Sequence, residues 1–163
     1  MNWEAAGALG EIIGAIAVFA TLFYLALQVR LSNNLANAST EIDIRNNFSS
    51  LNEMMISNPE LADLFVKSKE KNALFSEAEE IQLQAWVRRF LNAQLAIETA
   101  HENGMVPNET YNQMFDDTRG LITRYPGIVP IWKVVLSNWS ALKGRRVIIY
   151  VNEIIEEFEE SAQ

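Results

Sequence analysis

The hydrophobic pattern divides the chain into two unequal parts. From Ala5 to Val29 it is apolar almost without interruption, AAGALGEIIGAIAVFATLFYLALQV, with Glu11 as the one acid. From Leu31 onward, apolar residues recur every three or four positions among polar ones, the spacing of half-buried helices. At the rise of an α-helix the first stretch would reach about 37 Å, against a hydrocarbon core of about 30 Å. A soluble helix of that length would carry a polar face, and this one has almost none. A cleaved signal peptide would begin with a base and end at a small-residue cleavage site. This chain begins MNWE and runs on through LALQVRLSNN. The pattern predicts a membrane span, with an interfacial or re-entrant anchor, a soluble core helix and a signal peptide as the alternatives.

Beyond the span, residues 31–57 contain no Gly or Pro, and Leu31, Leu35, Ala38, Ile42, Ile44, Phe48, Leu51 and Met55 keep helical spacing. The span is expected to continue into a second helical stretch, with a break or kink at Ser32-Asn33-Asn34. Asn58-Pro59 reads as an N-cap followed by proline at the first helical position. The short helix it opens, to about Ser68, would bury Leu61, Leu64 and Phe65. Ser76 and Glu79 form a capping-box pattern. The helix it predicts covers residues 77–103 and is closed by Gly104. Its expected inward positions are Ile81, Ala85, Trp86, Phe90, Leu91, Leu95 and Ile97.

A further helix is expected over residues 108–124, with Tyr111, Met114, Phe115, Thr118, Leu121 and Ile122 inward. Another has Pro130 in its first turn and runs to about Trp139, with Trp132 and Leu136 inward. The last covers residues 143–159, with Val147, Tyr150, Val151, Ile154, Ile155 and Phe158 as its apolar face. Only residues 147–151 could pass as a strand, and helical spacing onward through Ile154 and Phe158 argues against it. The expected fold is all-α: a transmembrane helix over residues 1–30, then a small cytoplasmic helical bundle over residues 31–163.

The span has distinguishable sides. At 100° per residue, Gly7, Gly10, Glu11, Gly14, Ala17, Thr21 and Gln28 fall together, opposite Ile12, Ile16, Phe19, Phe23 and Leu27. Gly10 and Gly14 form a GxxxG, and small residues let helix backbones approach closely in lipid. This face is expected to mediate self-association, or to line an oligomeric, cation-favouring pore with Glu11, Thr21 and Gln28 inward. Glu11 lies more than a turn deep if the hydrocarbon begins near Ala5, and at headgroup level if it begins at Ile12. Trp3 at one end and Tyr24 and Arg30 at the other suit interfacial anchoring. No base precedes the span, whereas Arg30 and Arg45 follow it. The positive-inside rule then places the N-terminus outside and the bundle in the cytoplasm.

Composition narrows the chemistry. The 163 residues carry a net charge of −8, one histidine and no cysteine. The acidic balance disfavours nucleic-acid binding, and the lack of cysteine excludes disulfides, thiolate metal sites and a cysteine nucleophile. Glu98 and His101 make a single ExxH, half of the motif of carboxylate-bridged di-iron bundles, whose second half would need another histidine. Arg88-Arg89 and Lys143-Gly144-Arg145-Arg146 are local basic clusters. They are read as solvated or ion-paired helix surface, with an anionic ligand or lipid headgroups as the alternatives. No GxSxG, GxGxxG or P-loop occurs. No catalytic residue, metal or cofactor is expected.

Trp3, Ala5, Gly7, Ala8, Gly10, Glu11, Gly14 and Ala15, followed by Tyr24, Leu25, Ala26, Gln28 and Arg30, form an opening that resembles a broad group of uncharacterised bacterial membrane-anchored proteins. Asn58-Pro59-Glu60-Leu61-Ala62 and the long helix before Gly104 are also similar. The resemblance implies an anchor-plus-bundle layout in a bacterial inner membrane and carries no activity. The expectation is a self-associating membrane scaffold or interaction module whose partners are the lipid bilayer and further copies of itself. The alternatives are an oligomeric channel and a ligand-binding or enzymatic bundle using Arg88, Arg89 and His101.

Overall fold

The computed structural model describes residues 3–160, and among them it contains six α-helices, two 3-10 turns and no strand. Helix α1 spans Trp3–Ser57, α2 Pro59–Lys67, α3 Glu77–Glu102, α4 Asn108–Arg124, α5 Val129–Ser137 and α6 Arg146–Glu160. The protein is all-α, with one long, apolar N-terminal helix followed by a small bundle of five more. Packing separates a unit ending at Ser39 from one beginning at Thr40.

The helix runs unbroken through Ser32-Asn33-Asn34, which corrects the expected break there. Without glycine or proline, each Ser or Asn costs only about 0.5 kcal/mol relative to alanine in a helix, too little to interrupt it. In the second unit, Ile44 and Leu51 of α1 are buried and the Phe48 ring meets Phe90 edge-on, with centroids 6.3 Å apart. Leu31, Leu35 and Ile42, apolar at the same rhythm, are exposed.

The other helix ends follow local chemistry. Asn58 Oδ1 accepts the Leu61 N–H at 3.2 Å, with Pro59 at the start of α2. Ser76 Oγ accepts the Glu79 N–H at 3.4 Å, and Glu79 Oε2 accepts the Ser76 N–H at 2.6 Å, completing the capping box. Lys67 donates to the same carboxylate at 2.9 Å. That hydrogen bond, then the one from the Ser76 backbone, holds the Glu79 carboxyl below its usual range. Helix α3 gives way to Gly104 at φ 68°, a left-handed conformation that glycine adopts without a Cβ clash.

Helix α3 is central and packs against α2, α4, α5 and α6. The Phe90 ring stacks on Trp86 at 5.4 Å and meets Trp132 edge-on at 5.9 Å. Phe65 of α2 joins Trp86 at 4.7 Å and Tyr125 at 5.1 Å. The buried stripe of α3 is Leu83, Trp86, Val87, Phe90, Leu91, Gln94, Ile97 and Glu98. Ile81 and Ala85, expected inward, are exposed. They sit half a turn from Leu83 and Val87, so the phase that buries one pair exposes the other.

Candidate functional site

Two regions carry residues singled out by the sequence. The first is α1 within the unit ending at Ser39. It contains a helix long and apolar enough to cross a membrane, and none of its most apolar window is buried. The helical backbone puts Gly7, Gly10, Glu11, Gly14, Ala17, Thr21 and Gln28 on one side, all of them exposed. A Cβ built on Gly7, Gly10 or Gly14 would meet nothing within 4 Å. Two polar side chains of this face bond within their own helix: Thr21 Oγ1 donates to the Ala17 carbonyl and Gln28 Nε2 to the Tyr24 hydroxyl, each at 2.8 Å. Such bonds lower the cost of carrying a hydroxyl or amide in an apolar surrounding. Trp3, Tyr24 and Arg30 are exposed along the same helix.

The second region lies in the bundle, where α3 meets the start of α6. Glu98 is 3% exposed. Its Oε1 accepts the Arg146 N–H at 2.8 Å and its Oε2 the Val147 N–H at 3.1 Å. Arg145 Nε lies 3.1 Å from Glu98 Oε1, and its other nitrogens reach Glu102 Oε2 and Thr99 Oγ1 at 3.0 Å. The first turn of α6 has no acid of its own. A carboxylate from α3 therefore satisfies two of its free N–H groups and offsets the positive end of its dipole.

This arrangement accounts for both the ExxH and the basic cluster. Glu98 and His101 do not converge: the His101 ring stacks on Tyr111 at 4.1 Å, and its Nε2 lies 2.8 Å from Asn108 Oδ1. Burial, then the Glu98 charge, pushes the Tyr111 phenol up. Among the described residues no group of three or more His, Asp or Glu is placed to hold a metal ion. Arg89 donates to Ser50 Oγ at 2.9 Å, whereas Arg88 is exposed. Arg146 faces Glu153 at 3.6 Å. The bond from Glu98 to α6 crosses 48 residues, and no local pattern announces it.

A groove of about 480 Å³ also opens in the bundle, between residues 41–52 of α1 and residues 110–117 of α4. Asp117 stands on its rim, and burial, then the neighbouring Asp116, pushes its carboxyl above the usual range. A carboxyl raised on folding binds its proton more tightly in the folded state, so stability falls as pH rises through that window. Asp117→Asn removes this dependence. The variant is expected to melt above the parent at pH 7, with the gap closing toward about pH 4. Melting temperatures across that range test it, and a variant that melts lower at pH 7 contradicts it.

No family model, no curated protein and no solved structure matches the chain.

Proposed function

We propose that the chain is a membrane-anchored helical module that works by self-association through α1, not by catalysis. The observation that carries this reading is the exposure of the apolar stretch of α1. Apolar surface left in water costs about 25 cal/mol per Å², and a patch of this extent marks a membrane or partner surface. Within lipid, close approach of two helices favours the open glycine positions Gly7, Gly10 and Gly14. Thr21 and Gln28 spend donors inside their own helix, which suits a packed contact better than a water-filled pore. By Arg30 and Arg45, the N-terminus lies outside and the bundle in the cytoplasm of a bacterial inner membrane.

The full chain is expected to stay in the membrane fraction through alkaline carbonate washing and to run as a discrete oligomer in mild detergent. Gly10→Leu and Gly14→Leu should each shift that oligomer toward monomer while the helical signal is retained. A parent protein that is released by carbonate, or is monomeric at every concentration, removes the reading. Steady conductance from reconstituted protein that changes ion selectivity in Glu11→Gln would replace it with the channel. Topology is tested separately. The chain is free of cysteine, so Asn72→Cys supplies one exposed thiol. An impermeant maleimide should label it only after cells are opened, and labelling of intact cells would invert the orientation.

A further inference from the structure

The groove between α1 and α4 combines three unpaired charges with an apolar floor. On α1, Glu41, Arg45 and Asn52 lie along one side. Facing them on α4 are Thr110, Gln113 and Asp117. The floor is Ile44, Phe48, Ile97 and Met114, of which Ile44, Ile97 and Met114 are buried.

Glu41 and Arg45 are four apart with the acid first, the order in which helix ion pairs form most readily. They do not pair. Among the described residues, Glu41, Arg45 and Asp117 take part in no ion pair or side-chain hydrogen bond within the protein. Arg45 also has no part in setting the Asp117 carboxyl, whose surroundings only raise it. The groove therefore offers one unpaired cation and two unpaired carboxylates over an apolar surface. Its volume lies within the roughly 300–1,000 Å³ typical of small-molecule sites.

We propose that this groove binds a small amphipathic zwitterion of amino-acid type. Its ammonium group is set against Asp117 and Glu41, its carboxylate against Arg45, and its apolar side chain on Phe48, Met114, Ile44 and Ile97. Arg45 and Asp117 are exposed and Glu41 is half-buried, so a ligand bearing one charge leaves the opposite group to water, whereas a zwitterion gains a charge-assisted bond at each end. The groove is independent of the self-association of α1, since every residue lining it belongs to the unit beginning at Thr40.

Titration calorimetry on the full chain in lipid nanodiscs, with empty nanodiscs as the blank, tests it with three probes of the same aromatic body. These are L-phenylalanine, 2-phenylethylamine, which lacks the carboxylate, and 3-phenylpropanoate, which lacks the ammonium group. L-phenylalanine is expected to bind, and each truncated probe to bind about tenfold more weakly or worse. Arg45→Gln should reduce L-phenylalanine to the level of the amine, and Asp117→Asn should weaken it part of the way toward the acid, since Glu41 remains. Because Asp117→Asn is also expected to be no less stable than the parent at pH 7, its loss of binding is separable from unfolding. Absence of heat from all three probes overturns the proposal. So does an amine or an acid that binds as tightly as L-phenylalanine.

Discussion

Glu98→Ala is expected to destabilise the bundle by about 2–4 kcal/mol, which for a unit of this size lowers the melting temperature by roughly 10 °C. The change removes two charge-assisted bonds to the Arg146 and Val147 N–H groups. The Val147 N–H is left buried with no acceptor, and that alone costs about 1–3 kcal/mol. It also removes the carboxylate that α3 places at the positive end of α6, whose first turn has no acid of its own. The loss stays below the full penalty of breaking a buried ion pair, because Arg145 is 28% exposed and keeps Glu102 and Thr99. Glu98→Gln retains an acceptor oxygen but not the charge, and should fall between the parent and the alanine variant. Thermal melts followed by helical circular dichroism measure all three. A Glu98→Ala protein that melts within about 2 °C of the parent would show that α6 caps itself.

The contrast between this residue and its surroundings explains what the sequence can and cannot disclose. Ser76 with Glu79, Asn58 with Pro59, and Gly104 are readable because each device closes within four residues. The start of α6 is not. Lys143 to Arg146 places bases where a helix dipole disfavours them, and the compensating acid lies on α3. The same acid obscures the phase of α3. Gln94 and Glu98 sit inside the buried stripe, so apolar positions alone point toward Ile81 and Ala85 and pass over Leu83 and Val87. The Gln94 amide finds no hydrogen-bond partner within the protein, and nothing about its type marks it as a core residue. On α1 the length and apolarity of the first stretch are legible directly. Its continuity through Ser32-Asn33-Asn34 is not, because three weakly unfavourable residues resemble a break while costing too little to make one. The groove is invisible for a further reason. Glu41 and Arg45 have the spacing of an ordinary helix ion pair, and only the fold brings Asp117 to face them.

Gly127→Ala should be the most damaging glycine substitution, by about 3 kcal/mol or more. Tyr125-Pro126-Gly127 has the composition of a turn, yet the reason for glycine there is not backbone freedom, since only Gly104 has a positive φ among the described residues. The reason is proximity. A Cβ on Gly127 would lie 2.4 Å from the Glu70 carbonyl oxygen, 2.9 Å from that of Ser68 and 3.1 Å from Ala73 Cβ. The Gly127 N–H donates to the Ser68 carbonyl at 2.8 Å, so the two stretches of chain are held together at the contact. Ser68 is itself buried and tied to the Leu64 carbonyl at 2.6 Å, which leaves the turn little room to retreat. Moving Gly127 outward instead would draw Ile128, Val129 and Trp132, all buried, away from α3. Gly120 supplies the control. It lies in the interior of α4, where a Cβ would meet nothing within 4 Å, and alanine there should stabilise by up to about 1 kcal/mol through helix propensity. The same added methyl group is thus expected to shift the urea midpoint in opposite directions at the two positions, with the slope unchanged. Shifts of the same sign would mean that the turn from Ser68 to Ala73 yields without cost, and that Gly127 is a turn residue only.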